Sequence, residues 1–408
     1  MIKFLARRAW IIALIALIFL FPQALTSQAR LNNRILITGL GIDKIENEYE
    51  ITAQVVIPKG GSDASGEPAT LEAVSAKGIS LIEGLRKVSY KIGKIAGLSH
   101  LSYIVLGESM FEENILPDLD YFLREAQIPN SVMLVFSSTS AQEEITNLDD
   151  MEITTSLGLQ KIYLYKEESL NSNMKTLAEF VQNAKTPSKI GVMPELKITK
   201  ERNTSSDSGN SSGNNEAEKQ GGGRIIYYTP FAYFKNGNYV GTISDEKDIV
   251  AYLLTQAGGD RFDMVIEDVC DDSIYKEANV GIRILDKKVK TSVKFIDNKP
   301  LLCIDIVLDK VKLMEVNDKG SGYQGAFTTL KPYKNMALEN KIKDQISESI
   351  VTVFQQMKNH NIDIYNLANN AKKFNNGNWN YYLKSLPNIE DYLQNVQIVV
   401  NVEIKSFT

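Results

Sequence analysis

The chain has 408 residues, of which 43% are hydrophobic, with a formal net charge of -5 and a pI of about 5.4. This length accommodates roughly two to three domains with buried cores. The acidic balance, without a basic stripe, argues against nucleic-acid binding. Two cysteines and two histidines, with no CxxC pair and no Cys/His cluster, argue against a zinc site.

The N-terminus has the layout of an export signal or a membrane anchor. Basic residues precede an apolar run over residues 9–21, which predicts that the rest of the chain lies outside the cytoplasm. The run is shorter than the roughly 20 residues that span a bilayer. The sequence Ser27–Ala29 resembles a cleavage site, with the cut after Ala29. Residues 1–29 are therefore either a cleaved signal or a retained anchor.

The first half of the chain alternates predicted strands and helices. Period-two alternation predicts a β-hairpin over residues 34–58, with the turn at KIENE. A helix follows, and Ile79, Ile82 and Leu85 are spaced so as to form its inward face. We predict a mixed α/β domain over residues 30–198.

A polar segment separates the two halves. Residues 199–223 are rich in Gly, Ser and Asn and carry almost no apolar residue, so we expect a disordered linker or insertion. The sequence KNGN then predicts a second hairpin. Ser244 is expected to cap the helix that follows it.

The second half is predicted to be an α+β region over residues 224–408. Alternating strands joined by tight turns, one at DKK (286–288), predict an antiparallel meander that a last strand near the C-terminus joins. A division near residues 260–275 stays open. A long helix is expected to pack on the meander, through an apolar stripe of Leu338, Ile342, Ile346, Ile350, Phe354 and Met357.

Motifs that carry chemistry are missing or incomplete in the sequence. The GLGID segment lacks the third glycine and the helix of a dinucleotide site, and EDVCDDS lacks the ligand spacing of a calcium loop. His100, expected at the start of a buried strand, has no evident nucleophile or orienting acid. Cys270 and Cys303 are interpreted as two separate thiols, with a disulfide left open. We predict no enzymatic activity, no catalytic residue, no cofactor and no metal.

Five short motifs occur in a specific order along almost the whole chain. They are a Gly-hydrophobic-Gly-hydrophobic-Asp strand, a helix followed by a His-containing strand that ends in Gly-Glu, an Arg-acidic pair, a glycine-containing hairpin before an acidic-capped helix, and NIDIYNLA before a last strand. Together they resemble the Ger(x)C spore germination proteins, the C subunits of germinant receptors. The matching positions are Gly39, Gly41, Asp43, His100, Gly107, Glu108, Arg124, Gly237 and Gly241.

One departure from this family concerns the membrane anchor. The family usually carries a lipobox cysteine shortly before its first strand, and Leu25 occupies that position here. Without the thiol no lipid can be attached, which leaves an N-terminal helix or a cleaved signal. The polar insert is also longer than is typical of the family.

The resemblance implies a non-catalytic subunit on the outer face of the spore inner membrane, held there by an N-terminal helix. Its implied partners are the A and B subunits of a nutrient receptor, and its implied role is scaffolding or coupling. The nutrient itself is not assignable to this subunit. The alternative is a membrane-anchored solute-binding protein, which requires two α/β lobes around a cleft. An exported hydrolase requires a nucleophile that the motifs do not supply.

Overall fold

The structure is a computed structural model in which the two largest cores share a small central sheet. The fold class predicted from the sequence, mixed α/β followed by a meander on a long helix, is confirmed. The predicted anchor lies outside the described residues, and so does most of the polar insert. The structure describes residues 34–57, 70–149, 175–196, 198–200, 223–225, 230–256, 261–271, 275–318 and 336–407.

The first half is built on a mixed sheet in the order β3-β2-β1-β5-β6-β7, with β4 paired to β1. The β1–β2 hairpin is antiparallel, as predicted, whereas β1, β5 and β6 run parallel. The carboxyl ends of these three strands therefore lie at one edge of the sheet. The strands are β1 (Arg34–Ile45), β2 (Glu48–Ile57), β3 (Thr70–Gly78), β4 (Ile95–Gly97), β5 (Tyr103–Gly107), β6 (Met133–Ser137) and β7 (Lys175–Thr176).

Helices cover both faces of this sheet. They are α1 (Leu81–Ile92), α2 (Leu116–Arg124), α3 (Ala141–Asp149) and α4 (Leu177–Ala184). On one face Leu85 of α1, Leu119 of α2 and Phe180 of α4 share a core. On the other face Ile145 of α3 packs with Tyr103 of β5 and its neighbours. Two-sided coverage is what a sheet with parallel strands requires.

Helix α1 presents a different face to the core from the one that we predicted. Ser80 caps the helix, and its buried residues are Leu81, Gly84, Leu85 and Val88. Ile79 and Ile82 are 75% and 62% exposed. Two apolar stripes compete on this short helix, and the sheet surface selects the one that begins at Leu81.

A small antiparallel sheet, β12-β11-β8, lies between the two cores. Ala232 and Phe234 point to the first core, whereas Phe231 and Tyr233 point to the second. A strand from before the predicted linker, β8, thus pairs with one from after it, β11. The strands are β8 (Ile190–Pro194), β9 (Ile198–Lys200), β10 (Gly223–Ile225), β11 (Phe231–Lys235) and β12 (Asn238–Ile243), and β9 pairs with β10.

The second half is a sheet in the order β13-β14-β15-β16, with helices on its inner face. The helix α6 carries the predicted apolar stripe, and all six residues of that stripe are buried. The last strand joins the sheet as predicted, but it runs parallel to β15. The elements are α5 (Glu246–Leu254), β13 (Phe262–Asp271), β14 (Tyr275–Ile296), β15 (Lys299–Asp318), α6 (Met336–Asn359), α7 (Leu367–Phe374), α8 (Asn376–Ser385) and β16 (Gln397–Ile404).

Two details differ from the sequence predictions in this half. Asp245, not Ser244, caps α5, because its carboxylate accepts the main-chain N–H groups of Lys247 and Asp248. The DKK segment is not a turn but lies within β14, where the pairing with β15 shifts register. The turn of this long hairpin is at Asp297–Asn298, where both residues have positive φ values of 48° and 61°.

The register shift turns Lys287 inward. Its ammonium group is buried and donates to the main-chain carbonyls of Leu254, at 3.3 Å, and Gln256 at the C-terminal end of α5. A cation at this end complements the helix dipole and the free carbonyl groups. Through Lys287, the register shift in β14 therefore joins the meander to the C-terminal end of α5.

Lys287→Met keeps an unbranched stem but removes the donor, so we expect the free energy of unfolding to fall by about 1–2 kcal/mol. Urea denaturation of the full chain in a mild detergent measures this loss. Lys290→Met is the control, because Lys290 is exposed on the same strand. Equal effects of the two variants would contradict the capping role.

Candidate functional site

The glycine and aspartate positions of the first motif lie on β1, beside the parallel strand β5. Gly39 is paired with Tyr103 and Gly41 with Val105. A side chain at Gly39 would overlap the Tyr103 ring, and one at Gly41 would lie 2.9 Å from the carbonyl oxygen of Ala141. These glycines therefore leave room for a ring and for α3 on the same face of the sheet.

Asp43 is a buried residue that caps α3 from a distant strand. Its carboxylate accepts hydrogen bonds from the N–H groups of Ala141 and Gln142, both at 2.9 Å, and from the Ser140 hydroxyl at 3.1 Å. The first N–H groups of a helix have no partner within it, and a negative charge there complements the helix dipole. Asp43 thus attaches α3 to the carboxyl edge of the sheet.

Gly107 belongs to the same arrangement. It ends β5 beside Asp43, and a Cβ atom at this position would overlap Asp43 Oδ1 and lie 3.1 Å from the Ala141 nitrogen. Only glycine leaves space for the capping carboxylate. The fold thus brings together the motif positions Gly41, Asp43 and Gly107. Their role in this arrangement is to hold the N-terminus of α3 against the sheet.

A cleft of about 590 Å³ opens next to this cap, at the carboxyl ends of the parallel strands. Sheets of this kind place ligand sites at that edge. The cleft lies between the first-half sheet and the β11–β12 hairpin, which contributes Tyr239. Its lining is Asp43, Ile45, Glu108, Ser109, Phe111, Glu112, Thr139, Ser140 and Tyr239.

Carboxylates and an aromatic pair dominate the chemistry of the cleft. Glu108, a motif position, is exposed there, as is Glu112. Phe111 stacks on Tyr239 with ring centroids 5.2 Å apart and planes 20° apart. The helix N-terminus that would attract an anion is already capped by Asp43. This surface therefore favours neutral or cationic groups over anions.

The hairpin motif connects the two halves of the chain. At its turn Asn236 and Gly237 have positive φ values of 51° and 81°, as a tight Asn-Gly turn requires. The Gly237 carbonyl accepts the N–H of Ile115, and the Asn236 carbonyl accepts the Asn114 amide. Gly241 lies opposite Tyr233 on the paired strand. The hairpin thus docks on the first half beside the cleft.

Two other predicted positions lie away from the cleft. His100 is exposed in a turn, and the buried strand β5 begins only at Tyr103, so the expected strand position of His100 is wrong. Arg124 is an exposed residue at the end of α2, where its Nε lies 2.6 Å from Asp120 Oδ2. Leu25 and Ala29 lie outside the described residues. Cys303 is a buried free thiol on β15.

Sequence reasoning missed the buried centre of the NIDIYNLA motif. Asp363 is 2% exposed and accepts hydrogen bonds from the Ser188 hydroxyl at 2.6 Å and the Tyr392 hydroxyl at 3.1 Å. It also accepts the N–H groups of Leu367 and Ala368 at the start of α7. Burial raises the pKa of Asp363, and these four donors oppose the rise. The available signal was the aspartate between two isoleucines, Ile362 and Ile364, in this motif.

Within the described ranges, no group of three or more His, Cys, Asp or Glu side chains is placed to hold a metal ion. None of the helices in that part of the chain has both the length and the apolar character that a bilayer crossing needs.

Comparisons with known proteins cover both halves. The model described as "Spore germination protein N-terminal domain" matches residues 27–198, and "Spore germination B3/GerAC like, C-terminal" matches residues 230–406. No curated protein matches the chain. A solved structure described as "Crystal Structure of the GerBC protein" is similar at 15% identity and a TM-score of 0.45, over 90% of this chain and 96% of that one.

The matched regions include every motif position singled out in the sequence, from Gly39 to Gly241 and the NIDIYNLA segment. The predicted resemblance is therefore confirmed. The chain belongs to the GerAC-like family of spore germination proteins and is a germinant receptor C subunit.

Proposed function

We propose that this subunit is non-catalytic and acts on the outer face of the spore inner membrane, through contacts with the A and B subunits of a nutrient receptor. The observation that carries the proposal is the family match over both halves of the chain. The contacts of three motif residues support a scaffold role. Gly41, Asp43 and Gly107 hold α3 on its sheet rather than forming a catalytic group.

An exposed apolar stripe on α1 supports contact with another protein. Ile82, Arg86 and Tyr90 follow one another at helical spacing, and Ile79 precedes them. Tyr90 is 71% exposed, and the Arg86 guanidinium lies 5.8 Å from the centre of its ring. Clustered exposed apolar side chains with a polar rim are typical of protein interaction sites.

The double variant Ile82→Glu, Tyr90→Glu is expected to reduce co-purification with the A and B subunits from spore membranes by at least about tenfold, and to slow nutrient-triggered germination. Two carboxylates buried in an interface would each cost more than about 1.4 kcal/mol. The amount of the subunit and its thermal unfolding should stay unchanged, because both positions are exposed.

Tyr381→Glu is the matched control, since Tyr381 is a helical tyrosine on α8 with an exposure of 62%, against 71% for Tyr90. Normal assembly and germination with the double variant would show that α1 is not part of the interface. Deletion of the whole subunit without loss of the nutrient response would overturn the receptor role itself.

The proposed membrane attachment has its own test. We expect the peptide that contains residues 9–21 to be recovered intact from the inner-membrane fraction of dormant spores by mass spectrometry. A new N-terminus after Ala29 would instead mean a cleaved signal, with the partner subunits alone holding the protein at the membrane.

The cleft supports a second candidate function, a membrane-anchored solute-binding protein. Its volume of about 590 Å³ lies within the usual range of ligand sites. A nutrient present at about 100 times its dissociation constant would stabilise the fold by about 2.7 kcal/mol. Thermal unfolding of the full chain against amino acids, sugars and nucleosides tests this, with Phe111→Ala as the variant expected to abolish the shift. If no nutrient shifts the unfolding temperature, the solute-binding function is excluded and the scaffold role stands.

A further inference from the structure

The strand β16 forms an open edge of the second-half sheet. It pairs with β15 in continuous register from Leu301↔Gln397 to Leu308↔Ile404, without a bulge. In the described part of the chain no strand pairs with its other side. The strand has the sequence QIVVNVEI, which is rich in β-branched residues and contains no Pro, Gly or Lys.

The direction of the unpaired backbone groups follows from one hydrogen bond. Lys405 donates its N–H to the carbonyl of Leu308 on β15. Backbone groups alternate in direction along a strand, so the odd-numbered residues face β15 and the even-numbered ones face the open edge. The outward N–H and C=O groups therefore belong to Ile398, Val400, Val402 and Ile404.

Two other edge strands of the described sheets, β13 and β3, are disrupted or engaged, as edges of natural sheets usually are. On β13 the register shifts twice between Ile266 and Asp271, and Asp268 has a positive φ of 53°. On β3 the Lys91 ammonium donates to the Ser75 carbonyl. The edge of β16 carries no comparable device.

We propose that the occupant of this edge is β16 of a second copy of the chain, paired antiparallel about a two-fold axis at Val400. In that register Val400 faces its own copy and exchanges both of its backbone hydrogen bonds. On the outer face, Glu403 of one copy lies opposite Gln397 of the other, and Val399 lies opposite Asn401. No like charges meet, so the strand is complementary to itself, as a two-fold interface requires.

Cross-linking of two differently tagged full-length copies in spore membranes tests this register. One copy carries Gln397→Cys and the other Glu403→Cys, and copper–phenanthroline serves as the oxidant. Positions 397 and 403 face each other in a pair without hydrogen bonds, where Cα atoms lie about 4.5 Å apart, close enough for a disulfide. We expect a covalent dimer only when both variants are present together.

Each variant alone controls for bonds to the native cysteines and for other registers. A dimer in the Gln397→Cys sample alone would indicate parallel or accidental contact, and absence of a dimer in the mixture would leave the edge unpaired. Either result overturns the proposal. Because the readout is independent of the A and B subunits, its failure leaves the receptor role intact.

A backbone variant separates pairing from side-chain effects. Val400→Pro removes an outward N–H from each copy but none of the bonds to β15, and proline is tolerated on edges. We expect it to raise the dimer dissociation constant in detergent by at least about tenfold, whereas Val400→Ala, which keeps the N–H, should change it much less. Equal dimerisation of the two variants would overturn the proposed interface.

Discussion

Asp363→Ala is expected to lower the free energy of unfolding by at least about 3 kcal/mol. The substitution leaves four buried donors without an acceptor, from Ser188, Leu367, Ala368 and Tyr392. Each unsatisfied buried group costs about 1–3 kcal/mol, partly offset because the buried carboxylate is also removed. Urea denaturation of the full chain in a mild detergent measures the change.

Two further variants show whether the loss comes from this network. Asp363→Asn keeps one acceptor oxygen but turns an amide towards donors, so we expect an intermediate loss. Asp344→Ala removes a carboxylate that is exposed on α6 and should change stability by less than about 0.5 kcal/mol. A loss at Asp363→Ala no larger than this would show that the four bonds contribute little.

Gly107→Ala is expected to cost about 2–3 kcal/mol of stability. The added methyl group overlaps Asp43 Oδ1, so either the carboxylate moves away from the N-terminus of α3 or β5 shifts. The cleft lies directly beside this contact, and hydrogen exchange of the α3 amides should rise with the loss. Urea denaturation again provides the measurement.

A double-mutant cycle with Asp43→Ala isolates the cause. Asp43→Ala alone should cost about 2–3 kcal/mol, because it removes a helix cap and leaves the buried N–H of Ala141 unpaired. In that background the penalty of Gly107→Ala should shrink by more than about 1 kcal/mol, since the clashing oxygen is gone. Additive penalties would mean that Gly107 is required for some other reason.

Local patterns predicted the elements well where one face is clearly apolar. The stripe on α6 points to a single buried face, and the structure buries it. The alternation over β1 and β2 predicts the hairpin that the structure has, although helices bury both of its faces. On α1 the pattern was ambiguous, because the residues at 79, 82 and 85 and those at 81, 85 and 88 both have helical spacing. Helical periodicity alone cannot choose between such faces, and contact with the sheet decided.

The DKK segment shows a second limit of sequence patterns. Three consecutive charged residues are typical of a turn, yet Lys287 is buried within β14. Its partners are carbonyl groups at the end of α5, more than 30 residues earlier in the chain. A local sequence pattern cannot predict these partners, because only the packed structure brings the end of α5 next to Lys287.

The sequence by itself determined most of the order of the elements and the family, since these depend on local periodicity and on motif order. The tertiary structure alone decided what the motif residues do. Asp43 meets Ala141 across 98 positions, and Asp363 meets Ser188 across 175. A buried carboxylate is stable only where distant donors converge on it, and that convergence is a property of the packed chain.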